Sequence, residues 1–352
     1  MPDLSSSNRP CDSAQGDKGE RSEVIVSSCA DTTPTLSSCA PRSGVAGSPR
    51  CCDFAQHDKV PFGTRLYAAM QEHGPLCVGI DPHASLLAQW GLPDDVAGLR
   101  EFSLRVVEAV GGRVAAVKPQ SAFFERHGSA GVAVLEETLA ALRDVGTLSI
   151  LDVKRGDIGS TMGAYADAYL CDGSPLAADA ITVSPYLGFG SLTPAVELAL
   201  ATGRGLFVLC LTSNPEGGDV QQARSPQVGF DVDSHIGCQS VAAVIAREAQ
   251  TLNAAELANG APLGSVGLVV GATIGDAAAR AGVDLPNFSG PILAPGVGAQ
   301  GAGSSELRAV FGLAPHGVLA TSSRGVLQAG PGLDSLRRAA VTAAGEARVA
   351  LA

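Results

Sequence analysis

From Val60 onward the chain alternates eight short apolar runs with amphipathic or alanine-rich segments, and Gly and Pro mark the joints. The runs are Leu76–Ile80, Arg113–Lys118, Thr147–Lys154, Ala180–Ser184, Gly205–Thr212, Val266–Gly271, Pro291–Ala294 and Gly317–Thr321. Short apolar runs bounded by turn residues read as buried strands. Helical patterns lie between them at Leu99–Gly111, Gly131–Val145, Thr193–Ala201, Ser240–Leu252 and Ser305–Phe311. Eight strand–helix repeats predict an α/β fold, a (β/α)8 TIM barrel. A doubly wound open sheet is the structural alternative.

A barrel of this kind uses about 250 residues as one unit, and the chain has 352. Residues 1–58 are rich in Ser, Asp, Pro, Gly and Cys without a sustained apolar period. That composition reads as a disordered extension, or as sequence translated upstream of the real start. The barrel domain is expected over residues 59–352. The longest connection, roughly Ser213 to Gln239, is rich in Gly, Asp and Gln and reads as a loop over a ligand or a surface insertion.

A net charge of −11 argues against a nucleic-acid surface and gives no polybasic membrane patch. No apolar stretch is long enough to cross a membrane, and the first residues lack a signal-peptide pattern. Of nine cysteines, five precede residue 53 and none forms a CxxC pair, which speaks against zinc and disulfides. A reduced, cytoplasmic protein is expected.

The third run ends in Asp152-Val153-Lys154-Arg155-Gly156-Asp157-Ile158. Asp152 and Lys154 are two apart, so on a strand both face the same side. Charges at the end of a buried strand cost several kcal/mol each when unpaired, on the order quoted for buried ions. Folding gives little reason for such a cluster; chemistry does. Active sites of these barrels lie at the carboxyl ends of the strands. Those ends supply Asp81, Lys118, Asp152, Lys154, Asp157 and Ser184, and lysines set among carboxylates keep one another charged. Lys154 is then a cationic proton donor. Asp81 either binds a hydroxyl or caps a turn, Ser184 either meets a ligand edge or starts the turn before Pro185, and His83 and His127 read as surface or packing residues.

The last two strands lead into Pro295-Gly296-Val297-Gly298-Ala299-Gln300 and Ser323-Arg324-Gly325. Glycines let backbone N–H groups approach an anion, and Arg324 supplies a bidentate cation. The place matches where barrels frequently hold phosphate.

Taken together, the DxKxxDI motif at Asp152–Ile158 with Thr161, Gly79-Ile80-Asp81-Pro82, Val117-Lys118-Pro119, Ser184-Pro185-Tyr186 and Pro295–Gln300 resemble the orotidine 5′-phosphate decarboxylase family, in its longer bacterial form. The resemblance covers roughly residues 60–345. It implies conversion of orotidine 5′-monophosphate to UMP and carbon dioxide, without a metal or organic cofactor. It further implies a homodimer in which Lys118, Asp152 and Lys154 act in one subunit, while Asp157 and Thr161 come from the other. Asp81 and Lys118 are expected on the ribose hydroxyls and Ser184 on the pyrimidine edge. Pro295, Gln300, Arg324 and Gly325 are expected around the phosphate end.

Three rivals remain. A Mg²⁺-dependent decarboxylase or aldolase acting on a sugar phosphate would favour an acidic ligand where this chain has Lys118. A Schiff-base aldolase needs a neutral lysine, which neighbouring carboxylates disfavour. A non-catalytic nucleotide-binding barrel has no use for the Asp–Lys–Asp set.

Overall fold

The computed structural model describes residues 59–225, 239–298, 303–314 and 317–352. Residues 1–58 and the expectation for them, residues 226–238 of the long connection, and Gln300 therefore lie outside the described residues. Eight parallel strands close into a barrel: β1 (Leu76–Ile80), β2 (Ala116–Pro119), β3 (Leu148–Arg155), β4 (Ala180–Val183), β5 (Gly205–Leu211), β6 (Val266–Val270), β7 (Ile292–Pro295) and β8 (Val318–Ser322). Each pairs with its sequence neighbour, and β1 pairs with β8 to complete the ring. This is the (β/α)8 TIM barrel, and the open sheet is ruled out by the β1–β8 pairing.

Burial on both faces explains the apolar runs. One face of each strand packs against the outer helices, and the other fills the barrel. The interior cluster comprises Cys77, Ala116, Ile150, Ala180, Phe207, Val269, Leu293 and Leu319, with Phe62, Leu66 and Met70 beneath. Those last three lie on the helix Phe62–His73, which plugs the amino-terminal end of the barrel. Phe62 meets Phe207 edge-on at 5.9 Å between ring centroids, and a Cβ on Gly205 would collide with the Phe62 ring. The barrel is thus closed below and open only where the strands end.

The helices Phe62–His73, Gly159–Leu170 and Leu333–Ala350 add to those the sequence pattern names. Beyond β5 the chain forms a short helix, Gly217–Gln221, and a two-residue antiparallel ribbon joining Arg224–Ser225 to Gln239–Ser240. No helix among the described residues is long and apolar enough to cross a membrane.

Candidate active site

Strand alternation carries the interior face upward from the packed layer into a polar one. Above Cys77, Ala116, Ile150 and Ala180 stand Gly79, Lys118, Asp152 and Thr182, and one step further Asp81, Gln120 and Lys154. They line a cavity of about 250 Å³ at the carboxyl ends of the strands. Thr212, Thr321, Ser323 and Arg324 complete its polar wall, and Leu209, Val269, Leu293 and Val297 form an apolar patch. Lys118, Lys154 and Arg324 against Asp81 and Asp152 make three cations to two carboxylates, an excess of one positive charge. An acidic protein therefore presents a cationic site.

The charges are connected rather than scattered. Lys118 Nζ donates to Asp152 Oδ2 at 2.9 Å and to Gln120 Oε1 at 3.1 Å, and lies 4.0 Å from Asp81 Oδ1. Lys154 Nζ donates to Asp152 Oδ1 at 2.6 Å. Burial opposes the ionised form of Asp152, yet Lys118 and Lys154 outweigh it and hold the carboxyl well below the usual carboxylate range. Burial likewise opposes a charged Lys118, but Asp152 and Asp81 prevail and raise it above an ordinary lysine. Beneath them, burial pushes the Cys77 thiol up to about 12, so it is a neutral floor rather than a nucleophile. Lys154 differs from Lys118 in being half open, its side chain 48% exposed towards the cavity. That leaves an ammonium available to a ligand.

Strand β3 is irregular at this point. Its pairing with β4 steps from Leu151↔Ile181 to Arg155↔Val183, so three residues of β3 face Thr182 alone. Lys154 takes φ +44°, the one positive value outside glycine among the described residues. A left-handed conformation costs an L-residue roughly 1–2 kcal/mol. Strain of this kind persists only where surrounding contacts impose it.

Two buried polar atoms in the cavity, Asp81 Oδ1 and Thr321 Oγ1, have no hydrogen-bond partner within the protein. An unsatisfied buried group costs roughly 1–3 kcal/mol. Gly296 and Gly298 adopt φ +101° and +83°, which a side chain would disfavour; Gly296 lines the cavity with Arg324, and Gly298 lies against Ser322 and Gly325. Gly79 lets Ser323 approach β1, because a Cβ there would collide with Ser323 Oγ. Among the described residues, no group of three or more His, Cys, Asp or Glu side chains is placed to hold a metal ion.

Of the residues expected from sequence, Asp81, Lys118, Asp152, Lys154, Pro295 and Arg324 share this one cavity. Gly325 lies behind its wall, against Ser322 and facing the C-terminal helix. Ser184 stands on the rim outside the lining, its N–H bonded to Arg155 O at 2.8 Å and its carbonyl covered by Gly156. Asp157 and Thr161 are not among the residues that line the cavity: Asp157 Oδ1 accepts the Ile158 N–H at 2.8 Å, and Thr161 is exposed. His83, expected as a surface or packing residue, does line the cavity mouth, with its ring edge-on to Phe123 at 4.4 Å. Gln120, Thr182, Thr212, Thr321 and Ser323 were not singled out from sequence. Neutral side chains carry no signal by type; inward strand parity finds Gln120, Thr182, Thr321 and Ser323, whereas Thr212 comes inward through the register shift between Leu209 and Leu211.

Comparison with known proteins agrees on one family. The family model described as orotidine 5′-phosphate decarboxylase / HUMPS matches residues 74–339. An orotidine 5′-phosphate decarboxylase of Salinispora arenicola is 58% identical over 290 residues, covering 82% of this chain and 98% of the relative. One from Streptomyces coelicolor is 56% identical over 294 residues, covering 83% and 98%. Among solved structures, a Streptomyces avermitilis chain superposes with TM-score 0.76 at 56% identity, covering 85% of this chain and 98% of its own. The OMP decarboxylase of Leishmania donovani does so with TM-score 0.64 at 30% identity, covering 83% and 99%.

Proposed function

The chain belongs to the orotidine 5′-phosphate decarboxylase / HUMPS family, and from that premise we propose that its barrel domain, residues 59–352, is a cytoplasmic carboxy-lyase. It converts orotidine 5′-monophosphate to UMP and carbon dioxide, the last step of de novo pyrimidine synthesis. The observation that carries the mechanism is the chain of contacts Lys118–Asp152–Lys154 at the mouth of a cationic cavity.

Loss of carbon dioxide breaks the bond from C6 to the carboxylate and leaves the electron pair on C6, where the pyrimidine ring offers no simple sink. A fixed ammonium beside that carbon stabilises the developing charge and then delivers its proton to it. Lys154 supplies that ammonium, and Asp152 anchors it from below. Asp152 also sits beside the departing carboxylate and disfavours its charged ground state. Lys118 stays paired with Asp152, so the carboxylate remains neutralised after Lys154 gives up its proton. Asp81 and Lys118 receive the ribose hydroxyls. Arg324 grips the phosphate with the Gly296–Gly298 turn, Pro295 and Gln300, and Gly325 lets the chain pass closely behind. Binding energy from that distant group positions the ring.

A homodimer completes the site. The partner subunit's Asp157 and the partner subunit's Thr161 reach it, which fits their absence from the lining of their own cavity. Exposed apolar side chains beside them, Ile158, Tyr186 and Leu187, supply a surface for that contact. Ser184, on the same rim, meets the pyrimidine edge once the site is closed.

The HUMPS branch of the family is the competing reading, and Lys118 stands where an acidic metal ligand would favour it. Incubating the protein with orotidine 5′-monophosphate in EDTA separates the two. Undiminished, stoichiometric UMP supports decarboxylation without metal; no UMP, or activity restored only by Mg²⁺, overturns it.

A further inference from the structure

The irregular step in β3 is held by one neutral side chain. Thr182 on β4 is 1% exposed, and its hydroxyl makes two contacts, both to the motif strand. Oγ1 accepts the Lys154 backbone N–H at 3.0 Å and donates to Asp152 Oδ1 at 2.8 Å. The directions are not interchangeable: a backbone N–H only donates and an ionised carboxylate only accepts, so the single hydroxyl proton must point to Asp152. Where the register step takes Lys154 off the β4 ladder, the threonine oxygen replaces the missing backbone acceptor. It therefore fixes the backbone of Lys154 in its left-handed conformation and orients the same carboxylate oxygen that receives the Lys154 ammonium at 2.6 Å.

We propose that Thr182 is a positioning residue for the decarboxylation, acting through Lys154 by holding both the backbone and the carboxylate anchor of that lysine. The inference rests on the role assigned to Lys154 above. Without the hydroxyl, the Lys154 N–H and one Asp152 acceptor lose a partner, the left-handed conformation loses its support, and the ammonium is free to swing from the reacting carbon. Misplacement of a reacting group by small distances is enough to cost large factors in rate. The phosphate and ribose contacts lie elsewhere in the cavity, so ligand affinity is spared.

The test compares Thr182→Val, which keeps the volume and removes the hydroxyl, with Thr182→Ser, which keeps the hydroxyl and removes a methyl. T182V is expected to lower kcat at least about tenfold with the Kd for UMP within about twofold of wild type. T182S is expected to restore kcat to within about threefold of wild type. If T182V fails to fold, Thr182→Ala removes the same hydroxyl and is expected to lose the same factor in kcat. Full turnover in the variant lacking the hydroxyl overturns the proposal. So does equal loss in T182S, which would assign the effect to packing. Wild-type turnover and inactive Lys154→Ala, run alongside, separate failure of this inference from failure of the role given to Lys154.

Discussion

Lys118 and Asp152 form a buried ion pair across β2 and β3, with Nζ 2.9 Å from Oδ2 and side chains 6% and 9% exposed. Removing one partner of such a pair leaves the other charge in a poor solvent, whereas removing both is far less costly. Lys118→Met alone is expected to destabilise the fold by about 3 kcal/mol. Lys118→Met combined with Asp152→Leu should regain most of that in denaturant titrations while remaining inactive. A double variant no more stable than the single one would show that the pair is held by the fold rather than by charge.

The same pair sets a pH window for stability. The Asp152 carboxyl is depressed in the folded protein, so its contribution is complete above the unfolded value of about 3.9 and is lost as pH falls through the folded value. Lys118 is raised, so its contribution is complete below about 10.4 and is lost as pH rises through the folded value. The stability gap between wild type and Asp152→Asn should thus stay flat from roughly pH 5 to 9. It should narrow at both ends, as the medium becomes more acid than an ordinary carboxylate or more alkaline than an ordinary lysine. Denaturant midpoints measured across that range give the answer, and a gap that narrows near neutrality contradicts the assigned direction.

Gly79 and Ser323 are in contact across the β1–β8 seam, with no room for a Cβ. Gly79→Ala must displace Ser323 and with it the neighbouring Arg324. A loss of about 1–3 kcal/mol in stability is expected, together with weaker UMP binding by calorimetry. Wild-type affinity in a stably folded variant would separate the seam from the ligand site.

Asp157 and Thr161 do not line the cavity of their own chain. If each completes the partner's site, inactive Lys154→Ala and inactive Asp157→Ala subunits should rescue one another after mixing and refolding. One intact site per mixed dimer predicts recovery of about a quarter of wild-type activity. No recovery despite demonstrated subunit exchange would place Asp157 back in its own subunit.

The barrel was legible because its strands are buried on both faces and end at Gly or Pro. Leu76–Ile80 and the strand at residues 205–211 fall where the apolar runs do, to within a residue. The apolar run Arg113–Lys118 starts ahead of its strand: the paired segment begins at Ala116 and runs through Pro119, since Arg113 to Ala115 only lead into the ladder. Asp152 and Lys154 announced themselves as charges in an apolar run. Thr182 did not, since a threonine suits any strand, and its importance comes from a register step that no residue type encodes. The left-handed Lys154 was equally hidden, because sequence signals that conformation only through glycine or asparagine. Ser184 shares inward parity with Thr182, but β4 ends at Val183 and the Arg155 carbonyl holds the serine on the rim.

The central claim is that Lys154 carries the chemistry and the rest of the cavity carries the binding. The direct measurement is UMP formation from orotidine 5′-monophosphate by Lys154→Ala beside the Kd of that variant for UMP. Turnover lost by at least about a thousandfold with affinity within about threefold of wild type is the predicted result. Normal turnover, or turnover and affinity lost together, would contradict it.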